Sequence, residues 1–280
     1  MSPPRPRRQG RPSPRRPSPD AAAHRPTRGS DRWIYGRHAV AAALSNPERR
    51  WRRLAVLAGQ ETEAQQLLAT AVAERRGAEG GSLEVRDRDA FAALLPPGAV
   101  HQGLALEVEP LPEPELDDLL RELATAAGRC VVVALDQVSD PHNVGAVLRS
   151  ASAFGARAVL VAAHGAPPIT GALAKAASGA VDRVPLIRVV NLVRALDRLK
   201  EAGFWACGLD ETADRAFAAL DLGPRAVLVL GSEGGGIRRL VREHCDHLAR
   251  VPTSAAQPTL NVSNAAAVAL YELTRNTPPA

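Results

Sequence analysis

The chain has no apolar run approaching the ~20 residues needed to span a bilayer, so a soluble protein is expected. Cysteine is scarce: Cys130, Cys207 and Cys245 are the only three, an odd number at wide spacing. They exclude a disulfide framework and point to a reducing, cytoplasmic setting. Lysine is almost absent; Lys175 and Lys200 are the only two. The basic residues are therefore nearly all arginine, which fits a GC-rich genome and also suits bidentate phosphate contacts. There is no internal repeat.

What is present is unevenly placed. The formal net charge is +5, yet residues 1–30 hold eight Arg and one Asp, a local +7. The remainder is close to −2, so any affinity for nucleic acid there must come from local patches. The same segment carries eight prolines and no apolar periodicity. Residues 1–31 are expected to be a disordered Arg/Pro-rich tail, because they cannot bury enough surface to offset chain entropy. The tail has no apolar core like that of a signal peptide, and its prolines forbid the amphipathic helix of a mitochondrial leader. It reads either as a basic arm that binds RNA by counterion release or as a solvated extension.

Residues 32–108 read as a small α/β domain. Ile34-Tyr35 leads into an Ala-rich helix ending near Asn46-Pro47. Strands are expected at 53–57, 83–85 and 104–108, with a helix over 61–76. Residues 109–114 alternate proline with other residues, which predicts a stiff, extended linker. From 115 to 280 short apolar runs alternate with helical stretches. The runs are 130–135, 158–162, 184–187, 204–209 and 226–230. Continuous Val/Leu strands separated by helices predict a parallel sheet covered on both faces.

In such a sheet, ligands bind beyond the carboxyl ends of the strands, and three loops there carry polar residues. The first, 136–143, precedes a helix that runs through Phe154. The second, Gly231-Ser232-Glu233-Gly234-Gly235-Gly236, is expected to open another helix. The third runs from Val251-Pro252-Thr253 to Pro258-Thr259-Leu260-Asn261, before a helix from about Val262. The glycine loop lacks both the Gly-x-Gly-x-x-Gly of a dinucleotide site and the Gly-Lys-Ser/Thr of a P-loop. By itself it reads equally as a tight structural turn. A nucleotide-binding oxidoreductase is argued against by the missing fingerprint.

Together the three loops are more specific. The segments LDQVSDPHNVGAVLRSASAFGA (135–156), LVLGSEGGGI (228–237) and TLNVSNAAAVALYE (259–272) resemble the SpoU (TrmH) family of RNA ribose 2′-O-methyltransferases. KAASGAVDRVPLIRVVNL (175–192) resembles it too. WIYGRHAV (33–40) and His101-Gln102-Gly103 look like its N-terminal RNA-binding domain, of ribosomal-protein L30e-like fold. The resemblance covers roughly residues 33–276. It implies S-adenosylmethionine as methyl donor and RNA as substrate, most closely a guanosine of 23S rRNA near the peptidyl-transferase centre, with tRNA as the alternative. It also implies a deep C-terminal trefoil knot, against the usual unthreaded chain, and a homodimer whose active site is completed across the interface.

The resemblance assigns residues as well. Arg149 is the catalytic arginine. A guanidinium is nearly always protonated, so its expected role is to hold RNA phosphate and stabilise charge on the 2′-oxygen, not to act as a free base. Read without the family it is a surface Arg covering the apolar stripe of its helix. Asn143 and Asn261 are motif asparagines at the catalytic centre, although Asn143 also reads as an ordinary N-cap. Glu233 is expected to pair with the catalytic Arg, or simply to complement a helix dipole. Leu230, Gly231, Val251, Leu260 and Ser263 match positions around the adenosine of the cofactor. Thr259 stands where close relatives have Ser. No metal is expected: His244-Cys245-Asp246-His247 has no second ligand cluster to complete a four-ligand site. A non-catalytic RNA-binding assembly factor of the same fold is argued against by the retained Asn143, Arg149, Glu233 and Asn261.

Overall fold

The computed structural model describes residues 32–74, 81–256 and 259–275. The tail expectation for 1–31 and the end of the helix expected over 61–76 lie outside these residues.

The first sheet is built from β1 (Trp33–Tyr35), β2 (Trp51–Leu57), β3 (Ser82–Arg86) and β4 (Leu104–Val108) in the order β1-β4-β2-β3. Only β2 and β3 are parallel; β4 lies antiparallel to both β1 and β2. Helices α1 (Arg37–Ser45), α2 (Glu61–Glu74) and the short α3 (Arg88–Ala92) complete this unit. Residues between Glu109 and Glu115 then run without regular structure into α4 (Leu116–Thr125).

The second sheet is parallel throughout. Its strands are β5 (Cys130–Leu135), β6 (Ala158–Ala162), β7 (Leu186–Val189), β8 (Trp205–Leu209), β9 (Arg225–Leu230) and β10 (His247–Ala249). Their order is β10-β8-β9-β5-β6-β7. The helices are α5 (Pro141–Ala153), α6 (Gly171–Ala176), α7 (Leu192–Glu201), α8 (Arg239–Glu243) and α9 (Val262–Thr274). Strand alternation divides the core in two. Val131, Val133 and Leu135 of β5 share one cluster with Val144, Val147 and Leu148 of α5 and Ala266, Ala269 and Leu270 of α9. Cys130, Val132 and Ala134 face Leu119 and Leu123 of α4 and Leu192, Leu196 and Leu199 of α7. Burial on both faces is why these strands read as continuous apolar runs and not as alternating ones.

Two expectations move. The run 184–187 becomes the strand Leu186–Val189, because Val184 donates its amide to Ala180 in closing a turn and Pro185 has no amide to donate. The glycine loop does not open a helix directly; α8 starts only at Arg239 and is five residues long.

The two sheets belong to one continuous core: Val40, Leu44, Leu54 and Leu106 cluster with Leu173, Ala177 and Val181. Arg49 donates from Nε to Asp182 Oδ1 at 2.8 Å, with side chains only 3% and 1% exposed. Asn46 donates to the same oxygen at 3.1 Å, and Arg49 Nη1 donates to the Glu109 carbonyl at 3.1 Å. At Gly171 a side chain would meet the Tyr35 ring at 2.6 Å. Among the described residues no helix is long and apolar enough to cross a membrane.

Candidate active site

The strand order reverses at β5 and β9: the chain builds outward through β6 and β7, then returns to the other side of β5. The carboxyl ends of these two neighbours therefore open the crevice where open α/β sheets place ligands. Leu135 and Leu230 pair as the last residues of the two strands, and each is followed by one of the polar loops.

The first loop begins with Asp136, whose side chain is fully buried. Its carboxylate accepts from the Arg238 backbone amide and from Nε, each at 2.8 Å, and pairs with Nη2 at 2.7 Å. A buried carboxylate is tolerated when it is paired and hydrogen-bonded in this way, and the pair ties the first loop to the end of the second. Sequence reasoning missed both residues; an acid directly after a fully apolar strand was the available signal. Asp140 then caps α5 by accepting from the His142 amide at 2.9 Å, with Pro141 in the first turn. Asn143 is therefore not the N-cap, and its side chain is released for another task.

The second loop is a tight ring. Ser232 and Gly236 exchange both backbone hydrogen bonds, at 3.1 and 2.9 Å, and Gly234 and Gly236 have positive φ. A side chain on Gly231 would overlap the Gly236 carbonyl and the Ile237 amide. The glycine is needed by the loop itself, which is the tight-turn reading that the sequence left open. The ring leaves Glu233 exposed at its tip.

The third loop ends at Asn261, the N-cap of α9. Its Oδ1 accepts from the amide and hydroxyl of Ser263, at 2.8 and 2.6 Å. Its Nδ2 donates both to Asn143 Oδ1 at 3.1 Å and to Glu233 Oε1. Asn143 Nδ2 donates to the same Glu233 oxygen at 3.0 Å. Three residues from three loops thus close one hydrogen-bonded triangle. Next to Asn261 in the third loop Leu260 is 40% exposed, whereas Val251 is half-buried and Leu230, the last residue of β9, is buried.

Arg149 is exposed on α5 and does not pair with Glu233 within the chain. Six residues of α-helix separate it from Asn143, which is about 9 Å of rise and about 120° of rotation. It therefore leaves the helix in a different direction from the triangle. Of the residues weighed for metal, His244 Nδ1 meets Asp197 Oδ1 at 2.7 Å and Asp246 Oδ2 accepts from the Ala206 amide at 2.8 Å. Each has a structural partner.

Comparison with known proteins gives the family. Residues 130–271 match the family described as SpoU rRNA Methylase, and residues 33–114 match the RNA 2′-O ribose methyltransferase substrate-binding family. The chain belongs to the SpoU rRNA methylase family. It is 39% identical over 249 residues to the 23S rRNA (guanosine-2′-O-)-methyltransferase RlmB of Pseudomonas aeruginosa, covering 88% of this chain and 97% of that one. Identity to RlmB of Coxiella burnetii is 40% over 245 residues, covering 86% and 94%. Among solved SpoU structures, AviRb from Streptomyces viridochromogenes in complex with AdoMet superposes with a TM-score of 0.69 at 22% identity, covering 87% and 89%. That likeness concerns the fold.

Proposed function

We propose that this SpoU protein methylates a ribose 2′-hydroxyl of 23S rRNA, on a guanosine near the peptidyl-transferase centre, with S-adenosylmethionine as donor. The observation that carries the reading is the triangle Asn143–Glu233–Asn261, which joins three motif loops at the carboxyl ends of β5, β9 and β10. The match to RlmB relatives over most of both chains supports rRNA guanosine as the substrate.

The residues present fit the cofactor. The Asn261–Glu233 bond brings the exposed apolar Leu260 to the loop of exposed Gly234, Gly235 and Gly236, and that combination can enclose an adenine while amides and carbonyls read its edge. Leu230, Gly231, Val251, Leu260 and Ser263 are the residues proposed to hold it. When bound, S-adenosylmethionine supplies a methyl group already activated on sulfur. The protein's own task is then to align the ribose oxygen and stabilise charge building there. Glu233, held by two amides, fixes the edge of the site; Arg149 binds RNA phosphate and stabilises the developing oxyanion. The hydroxyl proton leaves to phosphate or water.

Because Arg149 points away from its own triangle, we further infer a homodimer in which each site receives Arg149 from the second copy. Val268 and Tyr271, 46% and 56% exposed on one face of α9, offer apolar surface for that contact. Similarly, the return of the chain from the β10 edge to α9, packed on α5, supports the trefoil knot. We assign an L30e-like, RNA-binding role to residues 32–108, a linker role to 109–114, catalysis to 115–280, and a cytoplasmic location. Incubation with labelled S-adenosylmethionine and 23S rRNA, followed by nucleotide-resolution mapping of ribose methylation, tests the activity. A single labelled guanosine is expected; label in tRNA alone, or none, would reject the reading.

A further inference from the structure

Lys175 is one of only two lysines in the chain and stands in the last turn of α6. Its ammonium donates to Gln102 Oε1 at 2.8 Å, and the same oxygen accepts from the Arg37 amide at 3.2 Å. Gln102 holds this position with a left-handed backbone, φ 54°. The Lys175 stem lies across Gly36, where a side chain would come within 2.9 Å of Cδ. The ammonium is thus seated in the seam between the two sheets' units, half-buried. Among the described residues no carboxylate pairs with it; Glu63 is engaged with the Arg37 side chain at 3.0 Å. An ammonium has three protons to donate, and a neutral amide takes one. Desolvation draws the Lys175 pKa below the ordinary lysine value.

The seam lies between α5 and the first unit. On one side α6 touches α5 so closely that a side chain on Gly145 would meet Ala176 Cβ at 2.6 Å and the Leu173 carbonyl at 2.9 Å. Gly145 is two residues from Asn143. On the other side Gln102 belongs to the turn before β4, within the matched substrate-binding segment. Lys175 thus stands on α6 between the segment that matches the substrate-binding family and the helix that carries Asn143.

We propose that Lys175 is a phosphate-binding residue, contacting a backbone phosphodiester of the RNA where it crosses from the first unit to the catalytic site. The proposal rests on the RNA methyltransferase reading above. An incoming phosphate takes the free ammonium protons, while Gln102 keeps the stem aimed across the seam. The alternative is a purely structural latch between Lys175 and Gln102.

Salt-dependent binding separates the two. Full-length protein is titrated with a 23S rRNA fragment spanning the peptidyl-transferase centre, over a salt series, with Lys175→Met, Lys175→Arg and Gln102→Ala alongside. Each phosphate contact contributes roughly 0.7–0.9 to the slope of log K against log salt. Lys175→Met is expected to lower the slope by about that amount, and Lys175→Arg to restore it. Gln102→Ala, which keeps the charge, should leave the slope intact. S-adenosylmethionine affinity should be unchanged in all three. An unaltered slope in Lys175→Met, or an equal fall in Gln102→Ala, overturns the phosphate contact. Wild-type protein that binds no rRNA at all would instead remove the activity reading, and this proposal with it.

Discussion

A methyl group added at Gly231 has nowhere to go, because the loop's own Gly236 carbonyl and Ile237 amide occupy the space. Gly231→Ala is therefore expected to cost ~1–3 kcal/mol or more in folding free energy, as overpacking does, and to lose cofactor affinity through the reshaped loop. Chemical denaturation and calorimetry on the same sample check both; lost affinity at full stability would show that the glycine serves only the ligand. Arg149 makes the opposite case, a side chain whose surroundings in one chain explain nothing of its use. Arg149→Lys keeps a charge and loses the bidentate fork, so single-turnover methylation should fall almost as far as in Arg149→Ala, with S-adenosylmethionine binding preserved in both. A near-normal Lys rate would show that a point charge is sufficient.

At the scale of elements, Asn261 holds two jobs that substitution can separate. Its oxygen caps α9 through Ser263, and its nitrogen joins the triangle. Asn261→Asp keeps the capping oxygen and removes the donor to Glu233. Helix stability should change little, whereas methylation should fall roughly 10- to 100-fold, the equivalent of a lost hydrogen bond to a charged group. Asn261→Ala should lose ~1 kcal/mol in addition. Thermal melts beside initial rates distinguish the two. The five strands of the second sheet that were legible as apolar runs are those buried over most of both faces. The sixth, β10, is a three-residue edge strand, His247–Ala249, too short and too polar to stand out. Within the site, Asn143, Glu233 and Asn261 were legible as motif residues, but their mutual bonds were not, since 90 and 118 residues separate Asn143 from its two partners. The capping role expected of Asn143 went to Asp140 because Pro141 fixes where the helix begins.

For the whole molecule, the Arg/Pro-rich segment concentrates positive charge that the rest of the chain lacks. Deleting residues 1–31 should lower RNA affinity modestly and flatten its salt dependence; an untouched slope would mean that the tail takes no part. The seam makes a second prediction. Asp182→Ala removes the carboxylate that pairs with Arg49 inside the protein, and breaking such a pair costs about 3–5 kcal/mol. The expected fall in melting temperature should appear as one shifted transition and not as two, because Val40 and Leu54 share their core with Leu173 and Val181.

That shared core also bears on how such proteins can be recombined. Family descriptions divide this sequence into 33–114 and 130–271, which invites grafting one relative's first segment onto another's second. Here the joint is not a flexible tether but a fitted surface, with Arg49 and Asn46 on one side, Asp182 on the other, and Gly171 flush against Tyr35. A chimera that crosses over between residues 109 and 114 inherits the two halves of that surface from different parents. Transplanted specificity would then require the contact residues to be carried across as a matched set, however neatly the sequence itself divides.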